Sequence, residues 1–183
     1  MPISRRKIVA AALSAAVVAG WLVVTPAGAG GGAAVKLEGA WIARGVEGPF
    51  QWTYVLSPDP SGRQATLHGS IDVGAGPLPS GVHVSPLIGN AILTGPDTLR
   101  FNSVWYAIVD LPPGAPVSGQ VVSIGVNTGE GRFVDGRWEM THHIADYSPD
   151  SDADGDGLPD PGTLPVSDPL IVHTVDTRLP LPH

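Results

Sequence analysis

The sequence predicts an all-β domain: about eight short antiparallel strands closed into a single barrel, with a β-sandwich as the alternative. Three observations carry this. Apolar and polar residues alternate with a period of two along most of the chain. Turns rich in Gly, Pro and Asp separate the alternating runs at hairpin spacing. No window beyond the first thirty residues repeats apolar residues at helical spacing. Alternation gives a strand one face for the core and one for water, and many short strands with frequent turns favour barrels or sandwiches.

The N-terminus reads as an export signal. Arg5, Arg6 and Lys7 form a positive start, Ile8 to Val24 is an uncharged, mostly apolar run, and Ala27-Gly28-Ala29 is a small-residue cleavage site. An uncleaved anchor is the competing reading, since the run is near the lower limit for spanning a bilayer. The Ala-x-Ala site and the absence of a charged stop favour cleavage. Ser4-Arg5-Arg6 leaves open the twin-arginine route. Residues 1–29 are therefore expected to be removed, leaving 30–183 as a single β domain, secreted or periplasmic, without a membrane anchor.

Removal of the signal takes three of the ten basic residues and none of the seventeen acidic ones. Seven basic residues then face seventeen acidic ones, a formal charge of −10, with Lys36 the sole lysine. Such a surface repels nucleic acid and anionic lipid. The chain has no cysteine, so neither a disulfide nor a lipidated cysteine is available, and packing or a bound metal must hold the exported domain.

In chain order the expected strands are Val35–Arg44, a run through Phe50, Trp52, Tyr54 and Leu56, Arg63–Val73, Leu87–Thr94, Leu99–Val109, Gln120–Val126, Arg137–Tyr147 and Leu170–Thr177. Within Arg63–Val73, Ala65, Leu67, Gly69, Ile71 and Val73 share one face, against Gln64, Thr66, His68, Ser70 and Asp72. Pro58 to Gly62, Gly95-Pro96-Asp97, Pro112-Pro113-Gly114 and Asp135-Gly136 supply turns; Asp-Gly is favoured in type I′ hairpins. Two stretches break the rhythm. Gly74–Pro86 reads as a long loop, and Pro149–Pro169 as an acidic insertion joining the last two strands.

The first strand contains Gly39-Ala40-Trp41, which resembles the Gly-x-Trp signature of lipocalins. The run Gly131-Arg-Phe-Val-Asp-Gly-Arg-Trp138 resembles a late hairpin of lipocalin-like bacterial secreted proteins. The resemblance implies an eight-stranded barrel, with Trp41 packed across one end against a basic residue from late in the chain. Arg178 is placed to be that residue. The N-terminal helical turn and C-terminal helix of that family are not evident.

The most specific chemistry lies in Asp150-Ser-Asp152-Ala-Asp154-Gly-Asp156-Gly157-Leu-Pro-Asp160. Six aspartates occupy 146–160 with no Lys or Arg among them. Carboxylates at alternate positions, with a glycine after the third, suit a loop wrapped around Ca²⁺, which takes six to eight oxygens. With Asp152 at position 1, Asp154 is at 3, Asp156 at 5, Gly157 at 6 and Asp160 at 9. A frame starting at Asp150 puts Leu158 at position 9, where its side chain offers no oxygen. Thr163 stands where an EF-hand has a bidentate Glu. The run is similar to the calcium repeats of thrombospondin type 3 modules, in a single copy lacking one further Asp. The expected ligands are the side chains of Asp152, Asp154, Asp156 and Asp160 and the carbonyl of Leu158, holding a structural Ca²⁺. A solvated acidic linker is the bland alternative.

Other chemistry is thin. There is no Gly-x-Ser-x-Gly, no His-Glu-x-x-His and no phosphate-cradling loop. His142 and Asp146 share a strand face and need a third ligand, such as His173, to hold a transition metal; the plain reading is polar residues beside a loop. Glu38 and Glu139 are the glutamates on expected strands and read as solvent-facing. Trp41, Trp52, Trp105 and Trp138 fall on strands as core, or as the lining of an apolar cavity. The expected function is an exported calcium-binding barrel holding a small apolar ligand. The alternatives are a structural or adhesive module stabilised by calcium, or a small β-barrel enzyme. The residues name no catalytic group and no protein partner.

Overall fold

The computed structural model describes residues 35–73, 81–112 and 119–180, so the expected signal, 1–29, lies outside the described residues. The strands are β1 (Gly39–Gly45), β2 (Gln51–Pro58), β3 (Gln64–Val73), β4 (Val82–Val84), β5 (Leu87–Leu93), β6 (Thr98–Asp110), β7 (Gly119–Val134), β8 (Arg137–Tyr147) and β9 (Leu170–Arg178). Pairing is antiparallel throughout, in the order β1-β2-β3-β5-β6-β7-β8-β9, and β9 returns to β1 with Ile42 opposite Thr177. Eight strands thus close a barrel and leave no free edge in the ring. The sandwich alternative is set aside by that closure.

The remaining strand, β4, corrects the expectation of a plain loop over 74–86. It pairs with β6 in line with β5, Val84 facing Ala107 and Ile88 facing Val104. Ser85 and Pro86 interrupt the run. Pro86 has no N–H for the ladder, and Ser85 bridges the gap: its N–H donates to the Tyr106 carbonyl and its hydroxyl accepts from the Tyr106 N–H, both at 2.9 Å. Residues 35–38, expected as strand, precede β1 without strand pairing. Leu37 is nonetheless fully buried.

Alternation dictates the interior. Trp41, Ala43, Trp52, Tyr54, Leu56, Ala65, Leu67, Ala91, Leu99, Phe101, Trp105, Trp138, Met140 and Val172 belong to one buried cluster. Large groups from β6 and β8 need space, and β7 supplies it by omission. A Cβ on Gly125 would stand 2.1 Å from the Trp105 indole, and one on Gly129 would stand 2.7 Å from the Phe101 ring. Glycine at these two positions lets the rings approach the β7 backbone this closely. Trp138, with no exposed surface, is wedged against Phe133 at 5.1 Å between ring centroids.

The two ends differ. At one end the strands turn through 59–63, 94–97 and 135–136. Arg178 lies opposite Trp41 there in the β1–β9 register, with its guanidinium against Gly39. At the other end, among the described residues, are the connection 46–50 and the long acidic insertion 148–169.

Candidate functional site

The acidic insertion folds against the outer wall. Ser148 caps a 3₁₀ turn over Pro149–Ser151, and that turn packs on β7. Ile124 faces outward from β7 yet is 2% exposed, paired with Tyr106 and Tyr147 beside the insertion. Tyr106 donates its hydroxyl to the Gly157 carbonyl at 2.9 Å, and the Val166 N–H returns to the Asp146 carbonyl at 2.8 Å.

Within the loop each aspartate spends one oxygen on the backbone. Asp152 Oδ2 accepts from the Gly157 N–H at 3.0 Å, Asp154 Oδ1 from Asp156 at 3.1 Å, and Asp156 Oδ1 from Leu158 at 2.8 Å. The Asp154 and Asp156 bonds are Asx turns and the Asp152 bond spans the whole curl, with Gly157 at φ 87°, a conformation that favours glycine. One carboxylate oxygen each from Asp152, Asp154 and Asp156 lies within 4.8 Å of the other two, and Asp152 Oδ1 is buried without a hydrogen-bond partner. Oxygens on opposite sides of one Ca²⁺ stand about 5 Å apart, so the donor set and its spacing fit that ion.

The other two expected ligands sit differently. Asp160 closes the loop: Oδ2 accepts from the Ala153 N–H at 3.2 Å, and its N–H donates to the Ser151 carbonyl at 2.6 Å. Leu158 is 47% exposed, and its N–H serves Asp156. Gly157, assigned to the tight turn, occupies it.

Inside the barrel lies a polar row that the sequence reading missed. Tyr54 donates its hydroxyl to Asp176 Oδ2 at 2.7 Å, and Thr174 donates to Asp176 Oδ1 at 2.5 Å. With its proton so used, Thr174 Oγ1 accepts from His142 Nε2 at 3.0 Å. That leaves His142 Nδ1 to accept from the Asn127 amide at 3.2 Å. The order of donors thus assigns His142 as the neutral Nε2–H tautomer. Trp52 and Phe101 flank its ring, at 4.7 and 5.0 Å between centroids.

Burial sets the charges in this row. His142, Thr174 and Asp176 are each 2% exposed or less. Burial, aided by repulsion from His173 and His143, holds the His142 pKa down to about 3. Burial also pushes the Asp176 carboxyl up to about 6, against the pull of the Thr174 and Tyr54 hydrogen bonds. The Tyr54 hydroxyl rises well above its ordinary value through burial, then the Asp176 charge. The row borders an interior space of about 20 Å³, room for about one or two water molecules.

His142, Asp146 and His173 do not converge. His142 points into the barrel, Asp146 is exposed beside Ser123, and His173 faces outward, its Nδ1 2.7 Å from Glu47. The expectation that His142 is a polar residue beside a loop is also corrected: its place is the core. Glu38 and Glu139 are surface residues in ion pairs with Arg178 and Arg137, each at 3.5 Å. The signal for the interior row was present as parity. Thr174 and Asp176 alternate in step with Val172, and Asn127 in step with Gly125 and Gly129, so all three occupy core positions.

No family model matches the chain, and no curated protein matches it. Among solved structures, EF1p2_mFAP2b bound to DFHBI is similar to it, with 17% sequence identity and a TM-score of 0.39, over 78% of this chain and 94% of that one. A likeness of that degree does not bear on function.

Proposed function

We propose that this chain is an exported β-barrel module that binds Ca²⁺ in the 152–160 loop and uses its interior for a small ligand. The observation that carries the reading is the gathering of Asp152, Asp154 and Asp156, with carboxylate oxygens within 4.8 Å of one another. Three like charges at that spacing repel, and a divalent cation reverses the sign of the interaction. Asp160 and the Leu158 carbonyl complete the proposed set. The ion staples the 148–169 connection to β6 and β7, so its binding energy becomes folding energy. The small-ligand half is supported by the closed barrel and by a polar row facing aromatic side chains inside it.

A second reading has its own support. An interior space of about 20 Å³ is far below the roughly 300–1,000 Å³ of drug-sized sites, while Leu164, Val166, Leu170 and Ile171 are exposed on and after the insertion. Those features suit a calcium-stabilised contact module. Native mass spectrometry of the secreted protein, before and after EDTA, separates the two. Calcium that leaves with EDTA and an adduct that stays supports the ligand-binding barrel; calcium alone supports the contact module. No calcium in either spectrum rejects the loop assignment.

A further inference from the structure

The interior row ends on an atom with nothing to bind. Asn127 is 6% exposed, its amide nitrogen is spent on His142, and its Oδ1 has no hydrogen-bond partner among the described residues. A buried carbonyl left this way is costly unless water or a ligand supplies the donor. Ser103, directly opposite Asn127 on β6, brings a hydroxyl to the same space. The rest of the wall is largely apolar, with Trp52, Phe101, Leu67 and Met140 in it.

We propose, resting on the small-ligand reading above, that the interior is a site for an uncharged molecule carrying one hydrogen-bond donor on an aromatic body. Asn127 Oδ1 receives the donor, the body lies against Trp52 and Phe101, and an ordered water takes the donor's place when no ligand is bound. Charge decides against the other classes. No Lys or Arg lines the space, so a fatty-acid carboxylate would be buried without a counter-charge. A cation would meet only Asp176, whose two oxygens already accept from Tyr54 and Thr174. Size requires the site to widen. Met140 is the lining side chain that moves at least cost, with three rotatable bonds and a deformable thioether.

Two probes of matched shape test this: 4-fluorophenol, which has a donor, and 4-fluorotoluene, which has none. Binding is followed by ¹⁹F NMR on the calcium-loaded protein, with decanoate as competitor. The phenol is expected to bind about tenfold more tightly than the toluene, the worth of one good buried hydrogen bond. A purely apolar cavity ranks them the other way, because the hydroxyl is then buried unpaired. Asn127→Leu should abolish the preference, and decanoate should displace neither probe. Met140→Ala should tighten both probes and keep the ratio, and it decides the matter if Asn127→Leu does not fold. Equal binding, or a preference for the toluene, overturns the Asn127 assignment while a ligand-holding barrel stands. Displacement by decanoate overturns the uncharged class. Failure of both probes to bind even Met140→Ala overturns this proposal and the small-ligand reading together.

Discussion

Asp176→Asn isolates the cost of ionising a carboxyl in the barrel core. In the folded protein Asp176 titrates near 6, against an ordinary value of 3.8. A folded pKa raised in this way means that the native state holds its proton longer than the unfolded chain. The associated stability is complete below pH 3.8, falls as pH rises through the window to about 6, and is gone above it. A shift of about two units corresponds to about 3 kcal/mol. His142 works in the opposite sense. Its folded value of about 3 lies below its ordinary 6.5, so its stability is complete above pH 6.5 and is lost as pH falls toward 3. Between pH 4 and 6 the two slopes oppose, and the contribution of the pair to the wild-type profile is nearly flat.

Asparagine keeps the shape and removes the titration. It brings a cost of its own, since Tyr54 and Thr174 both donate to Asp176 and an amide has one oxygen to receive them. That cost, about 1–3 kcal/mol, is independent of pH. The diagnostic quantity is therefore the change with pH of the difference between variant and wild type. Urea unfolding in EDTA at pH 4, 5, 6 and 7, at fixed ionic strength, should show the variant gaining about 2.4 kcal/mol relative to wild type from the lowest to the highest pH, since at pH 4 the unfolded carboxyl is already more than half ionised. A difference constant to within about 0.5 kcal/mol would refute the reasoning, because Asp176 would then not titrate inside that window.

Asp154→Ala should lower the unfolding midpoint in millimolar Ca²⁺ and leave it nearly unchanged in EDTA; at a hundredfold excess over Kd the lost linkage is about 2.7 kcal/mol, read by thermal melts in both buffers. Tyr106→Phe removes the hydroxyl donated to the Gly157 carbonyl, costing about 1 kcal/mol and weakening Ca²⁺ binding by less than about tenfold in calorimetric titration. Gly129→Ala places a methyl 2.1 Å from the Thr141 carbonyl oxygen and should destabilise by at least about 2 kcal/mol, with the near-ultraviolet signal of the buried aromatics altered. Trp138→Ala empties a fully buried position and should cost about 3–5 kcal/mol in urea melts.

What was legible in the sequence followed from what a strand can encode by itself. Period two in Arg63–Val73 set Ala65 and Leu67 inward, and they are core. Asp135-Gly136 marked the β7–β8 hairpin, and both residues have positive φ. The aspartate spacing drew Asp152, Asp154 and Asp156 together because Asx turns and a glycine operate within a few residues. β4 was hidden because its three residues have no pattern of their own and form a strand only against Val109, Ile108 and Ala107. The interior row was hidden for the same reason at longer range. Tyr54 and Asp176 meet because β9 closes on β1 and β1 lies beside β2, a register decided by the whole ring. Parity could place Asn127, His142, Thr174 and Asp176 inside, and a polar residue at an inward position carries information when no cation accompanies it. Such a residue must find its partners across strands, and an orphan such as Asn127 Oδ1 then marks where the interior is incomplete without water or a ligand.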